Sequence, residues 1–115
     1  MTTLDVSHDG DHTLVVVGEI DMLSAPTLEP ALRPLVDSGG TVTLDMRGVS
    51  FMDSTGLRAI LAATKALEGR GRLVLRDPQP IVIRVLEVTG LMPAPPDMPL
   101  EVRFNGQAPH AEQAS

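Results

Sequence analysis

The chain has 115 residues, enough for one domain and too few for two, and 43% of them are hydrophobic, which allows a buried core and excludes global disorder. That core must be aliphatic, because there are two Phe and neither Trp nor Tyr, which also removes the aromatic platforms that stack on nucleic-acid bases. A formal charge of −6 disfavours nucleic acid and anionic membranes and suits a basic protein partner as well as plain solubility, and the absence of Cys excludes disulfides and thiolate chemistry.

The first five residues carry no basic group and no apolar run, so they do not read as a signal peptide. The longest apolar stretch, Leu14 to Val17, is far too short to span a bilayer, and the expected location is cytoplasmic. Leu4 and Val6 alternate with polar residues, Asp9-Gly10-Asp11 reads as a turn, and Leu14 to Val17 continues the pattern of an antiparallel hairpin. The second strand lacks polar alternation and is expected to be central and buried on both faces. Ser24-Ala25-Pro26 has the form of a helix start, with Ser24 able to cap and Pro in the first turn. Pro30 and Pro34 fall inside the same segment, so the helix is expected to kink or to break into short turns before Gly39-Gly40.

Val42, Leu44 and Met46 alternate with Thr41, Thr43 and Asp45, a strand with one face on the core. From Ser54 the period becomes helical, through Leu57, Ile60, Leu61, Thr64 and Leu67, and stops at Gly69 and Gly71. Leu73-Val74-Leu75 is a short strand. Ile81 to Val88 is rich in β-branched residues, but Asp77 and Pro80 at its start and Gly90 at its end favour a helix. A connector with Pro93, Pro95, Pro96 and Pro99 leads to a last strand of Leu100, Val102 and Phe104, and residues 105–115 read as a polar, disordered tail. Strands alternating with helices predict a single α/β domain over residues 1–104, a mixed, largely parallel sheet of about five strands with helices packed on it.

Enzymatic constellations are sparse. His8, His12 and His110 have no metal-ligand spacing, no Gly-x-Ser-x-Gly elbow is present, and Gly69-Arg70-Gly71 lacks the frame of a phosphate-binding loop. The informative stretch is Leu44 to Leu57, which reads as a strand, a loop anchored by Val49, Phe51 and Met52, and then an Ala-rich helix. Asp53-Ser54-Thr55-Gly56 stands at the helix mouth, where backbone N–H groups lack intrahelical partners and the dipole favours an anion by about 0.3–1 kcal/mol. A phosphate on Ser54 is therefore compatible with the fold. It adds about −1.5 to −2 charges beside Asp53. Like charges about 5 Å apart repel by about 3 kcal/mol at an effective dielectric near 20, which in a complex is roughly a hundredfold in affinity. Local sequence leaves two readings open, a modifiable switch and ordinary capping by Ser54.

Val49-Ser50-Phe51-Met52-Asp53-Ser54-Thr55-Gly56-Leu57 closely resembles the signature of STAS-domain anti-sigma factor antagonists, the bacterial anti-anti-sigma factors. Gly18-Glu19-Ile20-Asp21 with Ser24-Ala25-Pro26 resembles the family's second-strand ending and first-helix start, and Val85 to Leu91 resembles its late helix ending. The resemblance implies a partner switch. The unphosphorylated protein binds an anti-sigma factor and frees a sigma factor. That anti-sigma factor is also an ATP- and Mg²⁺-dependent serine kinase, which phosphorylates Ser54 and so ends the complex, and a serine phosphatase resets it. By the same carry-over Asp21 and Ser24 lie near the contact surface, with Asp53, Thr55, Gly56 and Leu57 around the acceptor. The nucleotide belongs to the partner, so no cofactor, metal or catalytic residue is assigned to this chain. Two other readings stay open: a STAS scaffold or transporter-associated subunit without phosphorylation, and a small enzyme or nucleotide-binding protein.

Overall fold

The computed structural model describes residues 4–10 and 12–104. Leu4–His8 (β1) and Thr13–Ile20 (β2) pair antiparallel, and Ala25–Ser38 (α1), Gly40–Met52 (β3), Ser54–Ala66 (α2), Gly71–Arg76 (β4), Pro80–Val88 (α3) and Leu100–Arg103 (β5) follow. The sheet runs β1-β2-β3-β4-β5, and every pair after the first is parallel. Crossovers that step one strand at a time in one direction, all with the usual right hand, place their helices on one face. One buried cluster accordingly joins Leu14, Val16, Val42, Leu44, Leu73 and Leu75 of the sheet to Leu28 and Leu32 of α1, Ile60 of α2, and Val82 and Leu86 of α3. The expected α/β fold with a mixed five-stranded sheet is thus what the chain forms, and Ile81 to Val88 does lie in a helix.

Several local expectations are corrected. β2 is interior to the sheet, but it is not buried on both faces: Leu14, Val16 and Ile20 are buried, whereas Val17 is 46% exposed. Helices cover one face only, so the apolar run reflects β propensity on the other face rather than a second core. α1 is continuous through Pro30 and Pro34. Pro26, Pro30 and Pro34 recur every four residues and line one exposed face, while Leu28, Leu32, Leu35 and Val36 are buried on the other. Pro26 lies in the first turn, where an N–H would have no intrahelical acceptor, and Pro30 and Pro34 each orphan a carbonyl on the side turned to solvent, where water replaces the donor. The α1 C-terminus is closed by Arg70, whose Nη2 donates to the carbonyls of Val36 at 2.8 Å and Asp37 at 2.7 Å.

β3 extends to Met52, so Gly48–Met52, expected as a loop, is strand paired with the end of β2. Two register shifts, between Val15 and Val17 and between Gly18 and Glu19, each accommodate an extra residue of β3. β5 ends at Arg103, one residue short of Phe104. Asp11 and residues 105–115, which carry part of the first turn and the expected tail, lie outside the described residues. α3 ends in a Schellman motif, with Leu91 N–H donating to Leu86 O, Gly90 N–H donating to Glu87 O, and Gly90 at φ +78.

On the sheet face away from the helices, Asp45 is buried between Arg47 and Arg76, with ion-pair distances of 3.0 and 2.9 Å. Burial by itself raises its pKa, but hydrogen bonds from Arg47 and Arg76 outweigh that effect and lower the value from 3.8 to about 2. A carboxylate held below its unfolded value contributes stability that is present above about pH 4 and is lost as pH falls through about 2. The shift corresponds to about 2 kcal/mol. In urea unfolding at stepped pH, the native protein should lose about 2 kcal/mol more between about pH 5 and pH 2 than Asp45→Asn loses. Equal acid slopes for the two would remove Asp45 from the acid sensitivity of the fold.

Candidate functional site

Parallel pairing brings the C-terminal ends of β2 and β3 side by side, with Ile20 opposite Met52. The two exits then diverge, β2 into the turn that starts α1 and β3 directly into α2. They are locked together at one point. Asp53 N–H donates to Ile20 O at 3.2 Å, and Gly56 sits so close that an added Cβ would lie 2.6 Å from Ile20 Cγ2 and 2.7 Å from Ile20 O. Gly56 is thus required for contact, not for backbone freedom: only a residue without a side chain lets the first turn of α2 rest on β2.

Asp53 is the N-cap of α2. Its backbone is extended, and its Oδ1 accepts from Thr55 N–H at 2.9 Å and Gly56 N–H at 3.1 Å. Ser54 is the first helical residue and is exposed, and its hydroxyl makes no hydrogen bond to the described residues. Capping by the Ser54 hydroxyl, one of the two readings left open by the sequence, is therefore corrected, because the carboxylate next to it already holds the free N–H groups. A serine at the mouth of a helix with a free hydroxyl is accessible to chemistry without any loss of fold contacts. Thr55 is half-buried beside it, and Gly56 and Leu57 are buried beneath.

The β2–α1 turn is built by Asp21 and Ser24. Asp21 Oδ1 accepts from Leu23 N–H and Ser24 N–H, both at 3.0 Å. Ser24 is fully buried; its hydroxyl accepts from Asp21 N–H at 2.9 Å and donates to Glu19 O at 2.7 Å. The expected side-chain cap on α1 is absent, because that hydroxyl is committed to tying the turn back onto β2. Ser24 thus shapes the turn from inside it, while Asp21 is half-buried at its edge.

Sequence reasoning missed two neighbours. Met22 and Leu23, between Asp21 and Ser24, are 69% and 67% exposed. The signal was available: an apolar pair inside a polar turn between strand and helix has no period to join it to a core. His12 and His8 belong to the hairpin at the opposite end of β2. Eight strand residues at about 3.3 Å each put them more than about 20 Å from Ser54. Among the described residues no group of three or more His, Cys, Asp or Glu is placed to hold a metal ion, and no helix is long and apolar enough to cross a membrane.

A one-sided mixed sheet whose second and third strands end at a serine-bearing helix mouth is the architecture of a STAS domain, and the STAS domain family model matches residues 4–100. The chain is 35% identical over 85 residues to the Anti-sigma-B factor antagonist of Bacillus subtilis (strain 168), covering 73% of this chain and 78% of that one. It is 41% identical over 86 residues to the Anti-sigma-B factor antagonist of Listeria monocytogenes serovar 1/2a, covering 72% and 75%. Among solved structures, the anti-sigma factor antagonist SpoIIAA in its unphosphorylated form shares the fold, with a TM-score of 0.67, 23% identity and 98% of each chain covered. The chain belongs to the STAS-domain family of anti-sigma factor antagonists.

Proposed function

We propose that this chain is a cytoplasmic anti-sigma factor antagonist, without catalysis or cofactor of its own, that works by partner switching. Its unphosphorylated form binds an anti-sigma factor and so releases a sigma factor. The anti-sigma factor is a serine kinase that uses ATP, and its transfer of a phosphate to Ser54 ends the complex until a serine phosphatase removes it. The observation that carries this reading is the Ser54 hydroxyl, exposed beside the Asp53 cap and without a hydrogen bond to the described residues. The names of the relatives support the partner class.

Each site residue then has a part. Asp53 caps the helix and frees the Ser54 hydroxyl. Thr55 and Asp21 border the contact surface, Ser24 shapes the adjoining turn, and Gly56 and Leu57 seat the acceptor on β2 and the core. The domain that carries them is residues 1–104. Incubation with the cognate kinase and ATP should add one phosphate, read by intact mass, and Ser54→Ala should abolish the addition. A phosphate mapped to another residue would remove the acceptor assignment. A native chain that binds only a transporter, and takes up no phosphate, would favour a scaffold role.

A further inference from the structure

Exposed apolar side chains are ordinary when they stand singly on mobile backbone, but Met22 and Leu23 do neither. They are adjacent, both more than two-thirds exposed, and mounted on a turn whose backbone is fixed by Asp21 and Ser24. Neither belongs to the hydrophobic core of the described residues or to the side chains packed against it. They also lie beside the acceptor: Met22 is two residues from Ile20, at most about 7.6 Å of Cα path, and Ile20 O takes the N–H of Asp53. The turn is acidic as well: Glu19, exposed, and Asp21, half-buried, precede the pair in the chain, Asp21 Oδ1 accepts from Leu23 N–H, and Asp53, half-buried, is joined to Ile20 O by its N–H.

We infer that Met22 and Leu23 form an apolar anchor that enters a pocket of the anti-sigma factor, a pocket rimmed by basic groups that match Glu19, Asp21 and Asp53. This rests on the partner-switch reading of Ser54 and adds to it the residues that supply affinity. A rigid turn loses little conformational freedom on docking, so apolar burial there is converted efficiently into binding. Central apolar anchors inside a polar rim dominate interface energetics generally. The division of labour is then physical. The anchor supplies apolar affinity that does not depend on the charge at Ser54, and the phosphate, on the neighbouring helix mouth, subtracts enough from the total to end the complex. The anchor also delivers Ser54 to the kinase, so it contributes to substrate binding rather than to the phosphoryl-transfer step.

The test uses the full chain and the purified anti-sigma factor that phosphorylates Ser54. Met22→Ser with Leu23→Ser should weaken binding of the unphosphorylated protein by about thirtyfold or more. It should raise KM for Ser54 phosphorylation with kcat little changed. The melting temperature should stay near that of the native protein, since both side chains are exposed. Exchanging the two, Met22→Leu with Leu23→Met, should restore most of the affinity. Val88→Ser is the control. Val88 is 72% exposed at the C-terminal end of α3, which runs back toward the start of β5 and so away from Ser54, and its loss should leave binding unchanged. Native affinity and KM in the double serine variant, with Ser54 still phosphorylated, would overturn the anchor and leave the switch intact. A native chain that binds no anti-sigma factor would overturn both.

Discussion

Phosphorylation of Ser54 is expected to lower affinity for the anti-sigma factor by about a hundredfold or more while leaving the melting temperature of the free protein almost unchanged. The two halves have different causes. In the free protein Ser54 is exposed and makes no hydrogen bond to the described residues, so its phosphate stays hydrated and displaces nothing. The phosphate takes no hydrogen bond from Thr55 N–H or Gly56 N–H, because Asp53 already holds both, and its gain from the helix mouth is confined to the dipole. Repulsion from Asp53 in water is about 1 kcal/mol, and the helix dipole offsets a similar amount. In the complex the same group must lose its water against a surface shaped for a neutral hydroxyl. About 3 kcal/mol, a modest figure for an imperfectly paired charge in a dry contact, is a factor of a hundred. Calorimetric titration of the phosphorylated and unphosphorylated forms, with a melting curve for each, checks both halves. A large fall in melting temperature would show that Ser54 holds the fold together, and unchanged affinity would separate Ser54 from the contact surface. Ser54→Asp should move in the same direction by less, having a smaller charge.

Gly56→Val is expected to cost about 3 kcal/mol or more and to lower the melting temperature by on the order of 15 °C. The new Cβ would stand 2.6 Å from Ile20 Cγ2, 2.7 Å from Ile20 O and 2.9 Å from Met52 Cγ. Ile20 and Met52 are both buried, and one of the three contacts is with backbone, so no flexible side-chain end can swing aside. Relief requires α2 to lift from β2, which breaks the Asp53 N–H to Ile20 O bond and moves Ser54 relative to the β2–α1 turn. The variant should therefore be a poor kinase substrate even below its melting point. A Gly56→Val protein that melts with the native chain would mean that the two exits are not locked as described.

Much of the fold was legible in the residues. Alternation in Val42, Leu44 and Met46 and the helical spacing from Leu57 to Leu67 each reported a single buried face, and a single buried face is a local property. What escaped depended on neighbours. The run Leu14 to Val17 looks the same whether one or two layers of helices cover the sheet. The end of β3 read as a loop because Arg47 and Gly48 interrupt its alternation, and only pairing with β2 across two register shifts reveals Gly48–Met52 as strand. The proline segment left a kink and a break both open, since each Pro was weighed singly and their common spacing of four, which sets all three on the exposed face of one unbroken helix, was not.

At the site, the segment from Asp53 to Gly56 announced a helix mouth, but the choice between Asp53 and Ser54 as cap is a matter of one residue's backbone conformation. Sequence cannot make that choice when both residue types cap well. The closeness of Ile20 to Gly56, thirty-six positions apart in the chain, leaves no local trace at all.

The proline ridge on α1 also bears on the state in which this helix does not exist. Pro26, Pro30 and Pro34 hold φ near its helical value in any conformation, so the unfolded segment has fewer shapes to lose on folding. They also supply no N–H to a neighbouring strand, so a chain caught half-folded offers this stretch poorly to intermolecular β pairing. The three rings, two of which weaken the helix's own ladder, thereby confine the alternatives to it.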